Sequence, residues 1–218
     1  MAELLDGPRW GPASKRTPKQ LVVLCHGLGA DGHDLIDLAP IWGHALPDAA
    51  FVSVDAPFVH DSGFGRQWFS VADRTPSVLE AGVRRAATFL NPFIDAELAR
   101  LGLPAEAYAL MGFSQGAMTV LFTGLRRRAA PRAILAFSGA LIAPETLPAE
   151  RANHAPVLLV HGEADDVVPA ECSRDAAAAL TAAGVPVETL FVPRLGHGID
   201  DSGISMGALA LQRGFSVA

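Results

Sequence analysis

With 218 residues, half of them hydrophobic and 18% charged, the chain has the apolar content for a sizeable buried core and lacks the signature of disorder. A formal net charge of -6 argues against nucleic acid or an anionic membrane surface as partner, because both reward a basic face. Two cysteines, Cys25 and Cys172, are too few for a disulfide framework and point to a reducing, cytoplasmic setting.

Residues 1–19 lack the apolar segment of a secretory signal and read as an N-terminal extension able to add an edge strand to one domain spanning 1–218. No apolar run approaches the ~18 residues that cross a bilayer, so no stable membrane insertion is expected. Short apolar runs then recur: "LVVLC" (21–25), "FVSV" (51–54), "YALM" (108–111), "AILAF" (133–137), "VLLV" (157–160) and "VETLFV" (187–192). Most are continuously apolar, as strands covered on both faces are. Helical patterns lie between them. Ser77 with Glu80 predicts a capping box opening a helix to about Leu101, kinked at Pro92. Residues 115–128 predict a second helix, with Arg126, Arg127 and Arg128 as cations at its C-terminal dipole. Residues 170–183 stop at Gly184, and residues 203–213 stop at Gly214. Strands alternating with helices predict an α/β fold with a mostly parallel sheet, and ligands beyond the carboxyl ends of its strands.

Ala56 to Pro76 joins a strand to a helix with about twenty residues and little periodicity, a length usual for functional loops. Its aromatics Phe58, Phe64, Trp68 and Phe69 predict that it packs over the top of the sheet and lines a pocket.

The chemistry concentrates at strand ends. Gly112-Phe113-Ser114-Gln115-Gly116 follows "YALM" and precedes a helix, the context of a nucleophile elbow rather than of a glycine-rich turn carrying an idle serine. A serine hydroxyl needs a base, and the base an orienting carboxylate. "PRLGHGID" (193–200) supplies His197 after the last strand; the plain alternative is a solvated loop histidine. "HGEADDVVP" (161–169) supplies three acids, Glu163, Asp165 and Asp166, and spacing alone leaves the choice among them open. The acids not used are solvated or cap the next helix. Oxyanion stabilisation needs two amides. Gln115, after the serine, offers one, and Leu28 in "HGLGADG" (26–32) offers the other; no phosphate-loop pattern follows "LVVLC". His26 and His161 precede glycines at strand ends, and with no helical His-Glu-x-x-His set beside them they read as strand-end hydrogen-bonding groups, with no metal expected.

Four segments taken together, "LCHGLGADGHDL", "GFSQGAM", "HGEADDVVP" and "GHGID", resemble the carboxylesterase/acyl-protein thioesterase (phospholipase/carboxylesterase) family of α/β-hydrolases, and "RQWFS" (66–70) is similar to its W-[FY] stretch. The resemblance runs from about residue 20 to 200. It implies Asp165 as the acid, Leu28 and Gln115 as oxyanion donors, no cofactor, no large lid domain, and cleavage of esters or thioesters held in a shallow apolar groove. A homodimer is compatible with it. The chain departs from the family pattern at Ser70, where an aspartate is common, and at Ala117, where a glycine is.

The resulting expectation is a serine hydrolase acting on small-molecule carboxylic esters of short to medium acyl chain, with Ser114, Asp165 and His197 as triad. Gly29, Trp68, Phe69 and Val167 are the candidates for substrate contact. Acyl-protein thioesterase or lysophospholipase activity uses the same triad, and a non-catalytic binding protein on the same fold is the alternative from another class. A histidine base, titrating ordinarily near pH ~6.5, predicts that kcat/KM falls as pH drops through that region.

Overall fold

The computed structural model describes residues 5–216. The strands are β1 (Arg9–Trp10), β2 (Gln20–Cys25), β3 (Ala49–Val54), β4 (Phe58–Val59), β5 (Arg66–Gln67), β6 (Tyr108–Phe113), β7 (Ile134–Phe137), β8 (Val157–Gly162) and β9 (Val187–Val192). The helices are α1 (Leu38–Ala45), α2 (Pro76–Leu101), α3 (Gln115–Arg126), α4 (Leu147–Glu150), α5 (Glu171–Ala182) and α6 (Asp201–Ser216). Seven strands form one sheet in the order β1-β3-β2-β6-β7-β8-β9, parallel throughout except for β1, which runs antiparallel to β3. The extension therefore does supply an edge strand.

Because successive strand residues face opposite sides, β2 feeds two cores. Leu21, Val23 and Cys25 join a cluster with Val83, Leu90 and Ile94 of α2, Val120 and Leu121 of α3, and Leu180 of α5. Val22 and Leu24 join the other with Leu38 and Trp42 of α1 and Leu211 of α6. This two-sided burial is why the strand sequences are continuously apolar rather than alternating.

Several local expectations are corrected. Thr75 precedes α2 and makes no side-chain cap bond, Pro76 occupies the first turn, and Glu80 pairs with Arg84 at 2.7 Å instead of capping. The expected end of this helix does hold: it runs through Pro92 to Leu101. The arginines after α3 are more than dipole partners: Arg126 binds Glu150 at 2.7 Å, and the buried Arg127 donates to the Tyr108 hydroxyl, to Asn91 and to Asp95. α6 runs through Gly214, whose missing side chain accommodates the Arg132 carbonyl, 2.4 Å from where a Cβ would stand. Gly184, by contrast, does end its helix, at φ +72° with its amide on the Thr181 carbonyl.

Candidate active site

β6 ends at Phe113 and α3 begins at Gln115, so Ser114 alone turns the chain, at φ +53° and ψ -116°. A non-glycine residue held in so sparsely populated a region is strained by roughly 1–3 kcal/mol. The surroundings impose the turn. The Ser114 amide donates to the Phe137 carbonyl at 2.8 Å, tying it to the end of β7. A Cβ on Gly112 would stand 2.3 Å from the Gly116 carbonyl, and one on Gly116 1.9 Å from the Cys25 oxygen, so strand, turn and helix approach this closely only with glycine at both positions.

The acid and histidine loops meet beyond β8 and β9. Gly162 permits this, since a Cβ there would lie 2.3 Å from the Leu195 carbonyl. Glu163 and Ala164 then donate their amides to Val192 and Leu195, both at 2.9 Å. Of the three acids, Asp165 is buried and accepts from His197 Nδ1 at 2.7 Å, Glu163 pairs with Arg174 at 3.0 Å, and Asp166 is exposed. The other Asp165 oxygen accepts the Val167 and Val168 amides at 3.0 and 2.9 Å. Burial alone would raise the Asp165 pKa; the His197 hydrogen bond and those two amides outweigh it and hold the carboxyl below its ordinary value. A carboxylate only accepts, so His197 carries its hydrogen on Nδ1 and leaves Nε2 with a lone pair. The His197 ring lies 4.8 Å from that of Phe113, the residue before Ser114.

The loop after β2 stands against the elbow, with a Cβ at Gly27 only 3.4 Å from that of Ser114. The Leu28 amide has no acceptor among the described residues, and the Gln115 amide sits at the first helical position, where a helix supplies none. Both expected donors are thus available to a ligand. His26 accepts the Ala56 amide on Nε2 at 3.0 Å, so its Nδ1 donates to the Gly27 carbonyl at 2.7 Å, and burial lowers its pKa. His26 and His161 both make the strand-end hydrogen bonds that their positions suggest.

Trp68 and Phe69 do not line an open groove. Both are buried in the core, with the Trp68 indole donating to the His26 carbonyl at 3.0 Å. Gly29 and Val167 are exposed, Val167 to 60%. The long loop is ordered by β4 pairing with β5, by Gly29 donating to Arg66 at 2.8 Å, and by the Gln115 side chain. That side chain was not singled out by any sequence pattern, nor was Ser173, because their partners lie on other segments, and Asp61 meets Gln67 and Ser70 only through the folding of the loop. A cavity of about 810 Å³ between Pro131, Pro156, Val187 and Gly214 opens at the amino-terminal ends of β7, β8 and β9, the opposite end of the sheet from Ser114.

Comparison with known proteins decides the family. The family model described as Phospholipase/Carboxylesterase matches residues 12–209. The chain belongs to the phospholipase/carboxylesterase family. Among its relatives, Esterase YpfH of Escherichia coli is 33% identical over 187 residues, covering 84% of this chain and 78% of that protein. Acyl-protein thioesterase 1 of Neurospora crassa is 27% identical over 194 residues, covering 81% and 79%. The crystal structure of esterase PE8 superposes with a TM-score of 0.91 at 39% identity, covering 96% of this chain and 99% of that one. The expected α/β-hydrolase architecture is therefore the observed one.

The two departures from the family pattern have local explanations. Ser70 Oγ donates to Asp61 Oδ2 at 2.6 Å, and Gln67 donates to the other oxygen of the same carboxylate, also at 2.6 Å, so Asp61 supplies an acid beside the position where the family commonly has one. Ala117 is fully buried, and its methyl fills the space against Gly139.

Proposed function

We propose that this phospholipase/carboxylesterase-family chain is a serine carboxylesterase in which Ser114 attacks the ester carbonyl. His197 Nε2 takes the serine proton and returns it to the leaving alcohol, and Asp165 holds the ring on Nδ1. The Leu28 and Gln115 amides receive the oxyanion, with α3 adding its positive end. Water, activated by the same histidine, then releases the acid from the acyl-serine. The observation that carries this reading is the strained Ser114 turn, because a serine with no task has no need of φ +53° between two glycines that cannot be replaced.

The preference is for short to medium acyl chains. Gly29 and Val167 flank the site as exposed surface, while Trp68 and Phe69 of the loop are spent in the core, which favours a shallow platform over a deep tunnel. Thioester cleavage uses the same groups and is the second reading, favoured by the thioesterase relative. The reading also takes the chain as one domain, since β1 and α6, near its two ends, pack on the same sheet. Both cysteines are free, which supports a reducing compartment, and no described helix is long and apolar enough to cross a membrane.

A fluorophosphonate probe tests the mechanism. Wild-type protein should label stoichiometrically and Ser114→Ala should not. A series of p-nitrophenyl esters and acyl thioesters of increasing length then tests the pocket, with kcat/KM expected to peak below about eight carbons; a maximum on long acyl thioesters would favour the second reading.

A further inference from the structure

His161 was assigned above only to strand-end hydrogen bonding, yet its ring is fully buried directly behind Asp165. Its Nε2 lies 2.8 Å from the Val168 carbonyl and 3.2 Å from Asp165 Oδ2, and its Nδ1 lies 2.6 Å from Ser173 Oγ on α5. A carbonyl and a carboxylate only accept, so Nε2 carries the hydrogen, donates it to the Val168 carbonyl and keeps a positive N–H beside the carboxylate. Nδ1 is then the acceptor for the Ser173 hydroxyl, itself 2% exposed.

We propose that Ser173 and His161 form a positioning relay for the triad: the Ser173 hydroxyl fixes the tautomer of His161, and His161 fixes the Asp165 carboxylate that orients His197. This rests on the triad reading above and extends it by two residues. The geometry gives the relay two effects. Oδ1 is anchored by two backbone amides and Oδ2 by His197, while the His161 N–H, held by the Val168 carbonyl, stands 3.2 Å from Oδ2 and restrains the carboxylate plane from behind. The positive His161 N–H also faces the oxygen that His197 uses, and so draws charge from the group that stabilises the His197 imidazolium.

Around this cluster, the acid loop contributes Asp165 and the exposed Asp166, α5 contributes Ser173 and the half-buried Cys172, and the last loop contributes His197. At the rim, Arg174 pairs with Glu163 and Glu171, which leaves those charges compensated at the surface.

The test compares His161→Asn with His161→Gln, since glutamine carries an N–H to the place of Nε2 and asparagine does not reach it. His161→Asn should lower kcat about 10-fold or more, as loss of an outer hydrogen-bonding partner does at other catalytic centres, with KM within about twofold. Its acid limb of kcat/KM should move to higher pH, because Oδ2 without that positive N–H beside it holds the proton on His197 more tightly. His161→Gln should recover most of kcat and the wild-type limb, and Ser173→Ala should show a smaller shift of the same sign. Equal losses in both His161 variants with an unmoved limb would mean that the ring only fills space, and would overturn the proposal; so would wild-type kinetics in His161→Asn. If His161→Asn does not fold, the wild-type ¹⁵N spectrum decides together with Ser173→Ala: a His161 hydrogen on Nδ1, or an unshifted limb in Ser173→Ala, overturns the relay. Failure of wild-type protein to take the fluorophosphonate overturns the triad itself, whereas labelled wild type with an indifferent His161→Asn overturns the relay alone.

Discussion

Gln115 accepts the Trp68 amide on Oε1 at 2.8 Å and, from the same carboxamide, donates to the Phe69 carbonyl at 2.7 Å. The residue proposed to offer its backbone amide to the oxyanion thus also anchors the long loop with its side chain. Gln115→Ala leaves two buried backbone groups unpaired, at about 1–3 kcal/mol each. A destabilisation of roughly 2–4 kcal/mol by urea denaturation is expected, and because the main-chain amide survives, kcat should fall far less than in Ser114→Ala.

Gly116→Ala places a methyl 1.9 Å from the Cys25 carbonyl, a fixed backbone atom of the central strand β2. Overpacking ordinarily costs about 1–3 kcal/mol, and with only backbone atoms of Cys25 and His26 in the way this site should reach or exceed the upper figure. Chemical denaturation of the purified variant, or its failure to accumulate as folded protein, is the measurement; a variant within 1 kcal/mol of wild type, on the order of the smaller overpacking costs, would contradict the close approach.

Asp165→Asn replaces the acceptor for His197 Nδ1 with a carboxamide that can present N–H there instead. The ring then loses its reason to keep the hydrogen on Nδ1 and its partner charge. A fall in kcat of about 10³–10⁴-fold is expected, with substrate binding nearly unchanged. Steady-state kinetics beside active-site titration separates this from misfolding.

Stability should decline on acidification. Burial alone would raise the Glu97 pKa, but hydrogen bonds from Arg9 and Arg100 outweigh it and hold the carboxyl below its ordinary value, as those to Asp165 do there. The unfolded chain therefore takes up these protons at higher pH than the folded one. The stabilisation is complete above the ordinary carboxylate range, near pH ~4–4.5, and is lost as pH falls through the lower folded values. Urea midpoints between pH 7 and 3 should show this fall, and Glu97→Gln should be less stable at pH 7 with a flatter acid slope.

Much of this was legible in the sequence because burial on both sides of a parallel sheet writes itself as unbroken apolar runs, and β9 was bounded to the residue. α1 was missed: "LAPIWGHA" carries Pro40 and Gly43, and Asp37 before it makes no cap bond. Gly214 looked like a helix end because a glycine that yields space to a neighbouring carbonyl and one that turns the chain are the same letter. Three acids in one loop were equivalent by spacing; what separates Asp165 from Glu163 and Asp166 is burial and the reach of His197, both properties of the assembled loops. Trp68 and Phe69 were read as pocket walls because an aromatic in a long loop gives no indication of which way the loop folds.

β9 is paired only with β8 and closes the sheet as its outermost, half-exposed strand, and the His197 loop follows it directly. The serine is seated just beyond the end of β6, the middle strand of the sheet, which is flanked on both sides. The proposed nucleophile and its proposed base therefore belong to regions expected to differ in cooperativity: opening of one ladder would detach His197 while the elbow stays formed. Heat or denaturant should silence the enzyme before it melts, and reversibly, with exchange of β9 amides tracking activity more closely than the global transition does.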